Sequence, residues 1–225
     1  MEEIRKTTTL IIPALNEEGC IGKTIKEIPR EYVDEIIVVD GHSTDNTINE
    51  AKSVLEENDT VIEQVREKFA GAIYDGLDLA QGDVIMVMDA DGSHNPNDIP
   101  KLLSKLEKGA VVMASRYAPG GRSDDDTLVR WLGNWIFTKL IKLIHGVKTT
   151  DSLYFFFAIS KDDFKKLQLK SQGYAICIEF LTRAKKIGLK IVEVPAIERP
   201  RLAGASKVNA FRDGLKILRA ILRKY

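Results

Sequence analysis

Apolar residues fall into short unbroken runs through the first half of the chain. The runs over 8–12 (Thr8-Thr9-Leu10-Ile11-Ile12, stopped by Pro13), 35–40, 83–89 and 110–115 each read as a strand buried on both faces. A shorter strand is predicted over 60–64. Segments with helical spacing lie between them, over 17–28, 44–57, 70–80 and 97–107. Continuous apolar strands alternating with helices predict an α/β fold: a mostly parallel sheet with helices on both faces. The second half is patterned differently. A charged loop over 119–126 leads into an apolar helix over 128–144, an aromatic run (Tyr154, Phe155, Phe156, Phe157), a helix over 175–186 and a strand over 191–194. Val208, Phe211, Leu215, Leu218 and Leu222 then form one helical stripe, with Arg212, Lys216, Arg219 and Arg223 on the neighbouring stripe. The division this predicts is an α/β domain over 1–205 and a basic amphipathic helix over 206–225.

Composition narrows the class. Of 225 residues, 44% are hydrophobic and 29% charged, which is ordinary for a folded chain. The 33 basic residues balance the 33 acidic ones, which argues against a general nucleic-acid binder. The balance is not local, since residues 199–225 carry eight basic side chains and one acid, Asp213. A basic end on an acidic body points to an anionic partner there, and the tryptophans at 131 and 135 suit a bilayer interface. No run approaches the ~20 apolar residues that span a bilayer. The expectation is a cytoplasmic protein with peripheral contact at the membrane surface. Cys20 and Cys177 read as core thiols of a reducing compartment.

In a parallel sheet, ligands sit beyond the carboxyl ends of the strands. Those ends carry Pro13-Ala14-Leu15-Asn16-Glu17, Asp40-Gly41-His42-Ser43, Asp89-Ala90-Asp91 and Ser115-Arg116-Tyr117. Alternation along a strand puts Asp89 and Asp91 on one side, where two carboxylates suit a hard divalent cation such as Mg2+ or Mn2+ shared with substrate phosphates. Neither the dinucleotide fingerprint G-x-G-x-x-G nor the P-loop occurs, so a nucleotide here must be held through a metal and side chains. Asp40 is a candidate acceptor for a base N–H. Arg116, Arg130, Arg201 and Lys207 are candidate phosphate ligands, the last two in a glycine-containing basic loop able to close over a diphosphate.

Several blocks occur in one order: Ile11-Ile12-Pro13-Ala14-Leu15-Asn16-Glu17, Val38-Val39-Asp40, Ser43 to Thr47, Asp89-Ala90-Asp91-Gly92-Ser93-His94, Ala114-Ser115-Arg116-Tyr117, Asp151, Glu179-Phe180, and Arg201-x-x-Gly204-x-Ser206-Lys207. Together they resemble the family 2 glycosyltransferases, in particular the polyprenyl-phosphate (dolichyl-phosphate) mannosyl- and glucosyltransferase branch. The resemblance implies a GT-A fold and an inverting, metal-dependent transfer of a hexose from UDP- or GDP-sugar to a polyprenyl phosphate. It further implies that Pro13, Ala14, Asn16, Glu17 and Asp40 hold the nucleoside, and that Asp89, Ala90 and Asp91, with Ser93, hold the metal and diphosphate. Arg116 and Arg130 would bind phosphates, and the Arg201, Ser206 and Lys207 loop would close over the site.

The chain departs from the family pattern at Gly41, where many relatives carry a second aspartate, at Tyr154-Phe155-Phe156, where Ser-Gly-Phe is usual, and at Asn134, where a serine is expected. A phosphate acceptor is already anionic and needs positioning rather than a base. A hydroxyl acceptor needs a general base, for which Asp151 is the candidate. The competing reading is a nucleotide-sugar-binding partner of a membrane enzyme with no transferase activity of its own.

Overall fold

The structure is a computed structural model and describes residues 6–204, 210–223 and 225. Its elements run β1 (Thr8–Ala14), α1 (Ile21–Lys26), β2 (Glu35–Asp40), α2 (Thr47–Lys52), β3 (Thr60–Glu63), α3 (Lys68–Leu79), β4 (Val84–Val87), α4 (Ile99–Ser104) and β5 (Ala110–Ser115). The second half follows with β6 (Arg122–Ser123), α5 (Leu128–His145), β7 (Phe157–Ser160), α6 (Lys161–Lys166), α7 (Ala175–Lys186), β8 (Lys190–Pro195), β9 (Ile197–Glu198) and α8 (Ala210–Ile221).

One seven-stranded sheet, ordered β3-β2-β1-β4-β7-β5-β8, forms the centre. All its strands run the same way except β7, which is antiparallel to both β4 and β5. The period of two along each strand sorts the core. Ile11, Ile37, Val39, Ile85, Val111 and Phe157 face α3, α5, α6, α7 and α8. Leu10, Ile12, Ile36, Val38, Met86 and Phe156 face α1, α2 and α4. Burying each such side chain stabilises the fold by about 1.5–3 kcal/mol before entropy. Helix α3 lies especially close to β1, because a Cβ added at Gly76 would stand 2.6 Å from Ile11 Cγ2.

Several elements differ from expectation: β1 runs on through Pro13 to Ala14, and the helix expected over 97–107 shortens to Ile99–Ser104. The aromatic run carries no predicted element, but Phe157–Ser160 inserts as β7, with α6 after it. This antiparallel strand begins at the edge where the others end, and so brings Asp151 to Phe156 there. The helices expected over 17–28 and 44–57 shorten to Ile21–Lys26 and Thr47–Lys52 because their leading residues tie two loops together. Asn16 N–H donates to Ser43 Oγ at 2.8 Å, Thr44 N–H donates to Asn16 Oδ1 at 2.7 Å, and Glu17 N–H donates to Thr47 Oγ1 at 2.7 Å.

Helix α5 starts where Thr127 Oγ1 accepts the Arg130 N–H and stops at Gly146, whose φ of 68° closes the C-terminus. It buries only Asn134, Thr138 and Ile141, while Leu128, Trp131, Leu132, Trp135 and Ile136 stay exposed. Helix α8 packs against α5 and α7 through Ile217, Ala220 and Ile221, and the His145 ring bonds the Ile221 carbonyl oxygen at 2.6 Å. Leu215 and Leu222 of the expected stripe remain exposed; Val208 and the side chain of Phe211 lie outside the described residues. Among the described residues no helix is long and apolar enough to cross a membrane.

Candidate active site

The carboxyl ends of β1, β2, β4 and β5 meet the start of β7 along one edge, and the polar clusters gather there. In the donor half, Asp40 is buried. Its Oδ2 accepts the Ser43 N–H at 2.9 Å, while Oδ1 is buried without a partner among the described residues. An unused buried acceptor at the sheet edge suits a ligand N–H. Ala14 is buried beside it, and Asn16 sits at φ 49° in the loop latched to Ser43 and Thr44.

Asp89 and Asp91 follow β4. Asp91 Oδ1 accepts the Ser93 N–H at 2.9 Å, so Ser93 sets the carboxylate's orientation through its backbone. Arg201 donates to Asp91 Oδ2 through one terminal nitrogen and to both Glu17 oxygens, at 2.8 and 3.0 Å, through the other. Glu17, expected at the nucleoside, is thereby drawn to the carboxylate pair. Ala90 is buried and its carbonyl accepts from Thr24 Oγ1 at 3.2 Å, which ties the pair to α1. Burial, then the charges of Asp91 and Glu17, push the Asp89 carboxyl up to about 8. Burial works the same way on Asp91, but the Ser93 hydrogen bonds and the Arg201 charge outweigh it and hold its carboxyl below the usual range.

Among the described residues no set of three or more His, Cys, Asp and Glu is arranged to hold a metal alone. Two aspartates offering hard oxygens, with Asp89 39% exposed at the cleft, fit a cation that completes its shell with diphosphate oxygens and water. His94, quoted in the sequence pattern but given no role there, supports this turn. Its buried ring stacks on Phe156 at 5.1 Å, and Nδ1 accepts the Asp89 N–H at 3.1 Å. Burial pushes the His94 imidazole down to about 4, so it remains neutral and able to accept.

The other half of the cleft centres on Arg116 and Asp151. Asp151 is wholly buried and accepts from Arg116 Nε at 2.7 Å, Arg116 Nη2 at 3.1 Å and Asn134 Nδ2 at 2.9 Å. The backbone N–H groups of Leu153 and Tyr154 add two bonds at 3.3 Å. Burial alone would raise its pKa, but the Arg116 charge and these donors hold the carboxyl below the usual range. The expected role of Asp151 as a general base disagrees with this geometry, because a saturated, buried, weakly basic carboxylate cannot reach an acceptor proton. Its action is to anchor Arg116. Asn134, the departure from serine, supplies one of the anchoring donors.

Arg116 is only 12% exposed and also meets Glu198 through Nη1 at 3.1 Å; its guanidinium lies 4.9 Å from the Tyr154 ring centre. Burial would lower its pKa, but Asp151 and Glu198 raise it well above its ordinary value. Glu198 was not singled out from the sequence. It lies on β9, which pairs with β6, and its partner Ser123 belongs to the charged loop, so only the folded chain links the two. Arg130 is not brought to Arg116: it is exposed on the first turn of α5, with Nη1 3.2 Å from Asp125 Oδ2. Ser206 and Lys207 lie outside the described residues.

A groove of about 310 Å³ opens between Tyr117 and helix α5. Tyr117, Trp131, Trp135, Lys139, Lys142 and Thr150 line it, and Thr150 Oγ1 lies 2.6 Å from Ser115 Oγ.

Comparison with known proteins identifies the family and the fold. The model of glycosyl transferase family 2 matches residues 9–168. The undecaprenyl-phosphate mannosyltransferase of Micrococcus luteus is 30% identical over 88% of this chain and 86% of its own length. The dolichol-phosphate mannosyltransferase of Pyrococcus furiosus is 32% identical over 89% of this chain, which spans 59% of that protein. Among solved structures, glucosyl-3-phosphoglycerate synthase from Mycobacterium tuberculosis, in complex with Mg2+ and UDP, superposes with a TM-score of 0.77 at 21% identity, over 96% of this chain and 78% of that one. That likeness gives the GT-A fold. With the family model spanning the sheet from β1 to α6 and a 32% identical relative over most of the chain, this protein belongs to glycosyl transferase family 2 and is a glycosyltransferase.

Proposed function

We propose that the chain transfers a hexose from a UDP- or GDP-sugar to a polyprenyl phosphate, with inversion at the anomeric carbon. The observation that carries this reading is the pairing of two unlike half-sites at one sheet edge. One offers carboxylates fit for Mg2+ or Mn2+, and the other offers an aromatic groove that bears Lys139 and Lys142 and has no acidic lining. Tryptophan and tyrosine faces suit an isoprenoid chain, and lysines suit its phosphate. The relatives named for undecaprenyl- and dolichol-phosphate support the same acceptor class.

The chain's own groups account for the chemistry. Asp40 Oδ1 accepts a base N–H, with Pro13 and Asn16 shaping the nucleoside pocket. Asp89 and Asp91 hold the divalent cation, which neutralises charge on the departing diphosphate when bound. Arg201 contacts that diphosphate. Arg116, pinned by Asp151 and Glu198, fixes the wall behind the groove. Lys139 and Lys142 in the groove offer the positive charge for an acceptor phosphate, and Arg130 is a further exposed cation at the start of α5. An anionic acceptor needs no base, in keeping with the saturated state of Asp151.

The test is turnover of purified protein with Mn2+ or Mg2+ and a panel of UDP- and GDP-hexoses, with and without a short polyprenyl phosphate. Nucleotide release that rises with the lipid supports the reading. Transfer to hydroxyl acceptors alone, with no response to the lipid, overturns it.

A further inference from the structure

Asp91 has two carboxylate oxygens, and both are engaged. Oδ1 takes the Ser93 N–H at 2.9 Å, and Oδ2, the oxygen left for a cation, is held by Arg201. The same guanidinium spans to both oxygens of Glu17, so it bridges the two carboxylates as a divalent ion would. Its backbone is laced to the metal-binding turn. Leu202 N–H donates to the Asp91 carbonyl at 3.1 Å and Arg199 N–H to the Ser93 carbonyl at 2.9 Å. A Cβ at Gly92 would stand 2.6 Å from the Leu202 side chain, so the two segments sit in direct contact. Arg201 therefore leaves Asp91 by moving its side chain, with its backbone still in register. Its Nε is buried and without a partner among the described residues, a donor that Glu17 and Asp91 do not use.

We propose that Arg201 and the divalent cation are alternative ligands of Asp91, so that the site takes the cation as its complex with a diphosphate and discriminates against the free ion. A cation arriving alone must take Asp91 Oδ2 from a guanidinium that then keeps Glu17 alone, and losing a partly buried charge-assisted contact with nothing to replace it is costly. A diphosphate removes that cost. Its oxygens accept the planar fork of Arg201, including the unused Nε, while the cation takes over Asp91 Oδ2. Arg201 is thus a specificity-determining residue for the form in which the metal enters. The inference rests on the metal site proposed above for Asp89 and Asp91.

The experiment measures Mn2+ affinity by electron paramagnetic resonance on the whole chain, as wild type, Arg201→Gln and Arg201→Lys, with and without UDP or GDP. Thermal melts confirm that each variant is folded. Without nucleotide, Arg201→Gln is expected to bind Mn2+ at least about tenfold tighter than wild type, the scale of a lost charge-assisted contact. Arg201→Lys, which keeps the charge but loses the two-armed bridge, falls between them. With the nucleoside diphosphate the order reverses, because Arg201→Gln has lost the group that receives the diphosphate. Equal Mn2+ affinity in all three proteins without nucleotide, or weaker binding by Arg201→Gln, overturns the exchange and leaves the metal site standing. No Mn2+ binding by any of them, with or without nucleotide, overturns both.

Discussion

At the scale of single residues, the two halves of the cleft manage buried charge in opposite ways. Asp151 is saturated by donors and stays ionised, while Asp89 crowds against Asp91 and Glu17 and takes up a proton. The first is a structural charge. Asp151→Asn leaves Arg116 with Glu198 as its one carboxylate partner among the described residues and is expected to destabilise the fold by about 2–3 kcal/mol, read as a shift in the urea midpoint with an unchanged slope. A loss below ~0.5 kcal/mol counts against the anchoring role. The second charge makes stability depend on pH. The Asp89 carboxyl sits at about 8 in the folded chain, against about 4 when unfolded, so folding takes up a proton within that window. Stability contributed by this group therefore falls as pH rises from about 4 to about 8. Asp89→Asn stays neutral throughout, so its stability relative to wild type should climb between pH 5 and pH 8. Saturating Mg2+ should flatten the wild-type profile. A constant difference between the two proteins across that range contradicts the assignment.

At the scale of elements, the backbone's demands explain both what the sequence disclosed and what it hid. The strands at 35–40 and 110–115 and the helix at 175–186 were legible to the residue, because unbroken β-branched runs and a clear apolar stripe leave few alternatives. Strand β7 was not. Its four residues follow three aromatics with no change of period, and its antiparallel course depends on strands distant in sequence. The carboxylate pair and Arg116 were legible because they stand at strand ends. Glu198 and His94 were not, since each works through a partner that only the folded chain supplies. Glycines show the same dependence on neighbours. Gly76→Ala pushes a Cβ to 2.6 Å from Ile11 and is expected to cost about 1–3 kcal/mol by forcing α3 off β1. Gly133, inside α5 with nothing within 4 Å of its added Cβ, is the counterpart: Gly133→Ala should stabilise by about 1 kcal/mol through helix propensity. Thermal melts of the two variants read the difference, and shifts of the same sign refute this account of α3 packing.

At the scale of the whole molecule, the unequal spread of charge acquires a geometry. Helix α5 carries Arg130, Lys139 and Lys142 and no acid, and it exposes Leu128, Val129, Trp131, Leu132 and Trp135. Helix α8 packs against it with Leu215 and Leu222 exposed and Lys216 and Arg219 on its surface. The two packed helices thus expose apolar and basic side chains together, and Trp131, Trp135 and Lys139 of α5 line the groove. A lipid surface satisfies both features: tryptophans enter the interface and lysines meet anionic headgroups, at about 1 kcal/mol per cation. The two contributions separate by experiment. Co-sedimentation with vesicles of neutral phosphatidylcholine, or of the same lipid mixed with phosphatidylglycerol, should show binding to the mixed vesicles that weakens with added salt. Lys139→Gln/Lys142→Gln should lose most of the gain from phosphatidylglycerol and little of the binding to neutral lipid. Trp131→Ser/Trp135→Ser should lose binding to both. Point substitutions are the cleaner probe, because truncation at the start of α8 would remove Ile217, Ala220 and Ile221 from the core. If both pairs of substitutions leave vesicle binding unchanged, the surface made by α5 and α8 is not a membrane contact.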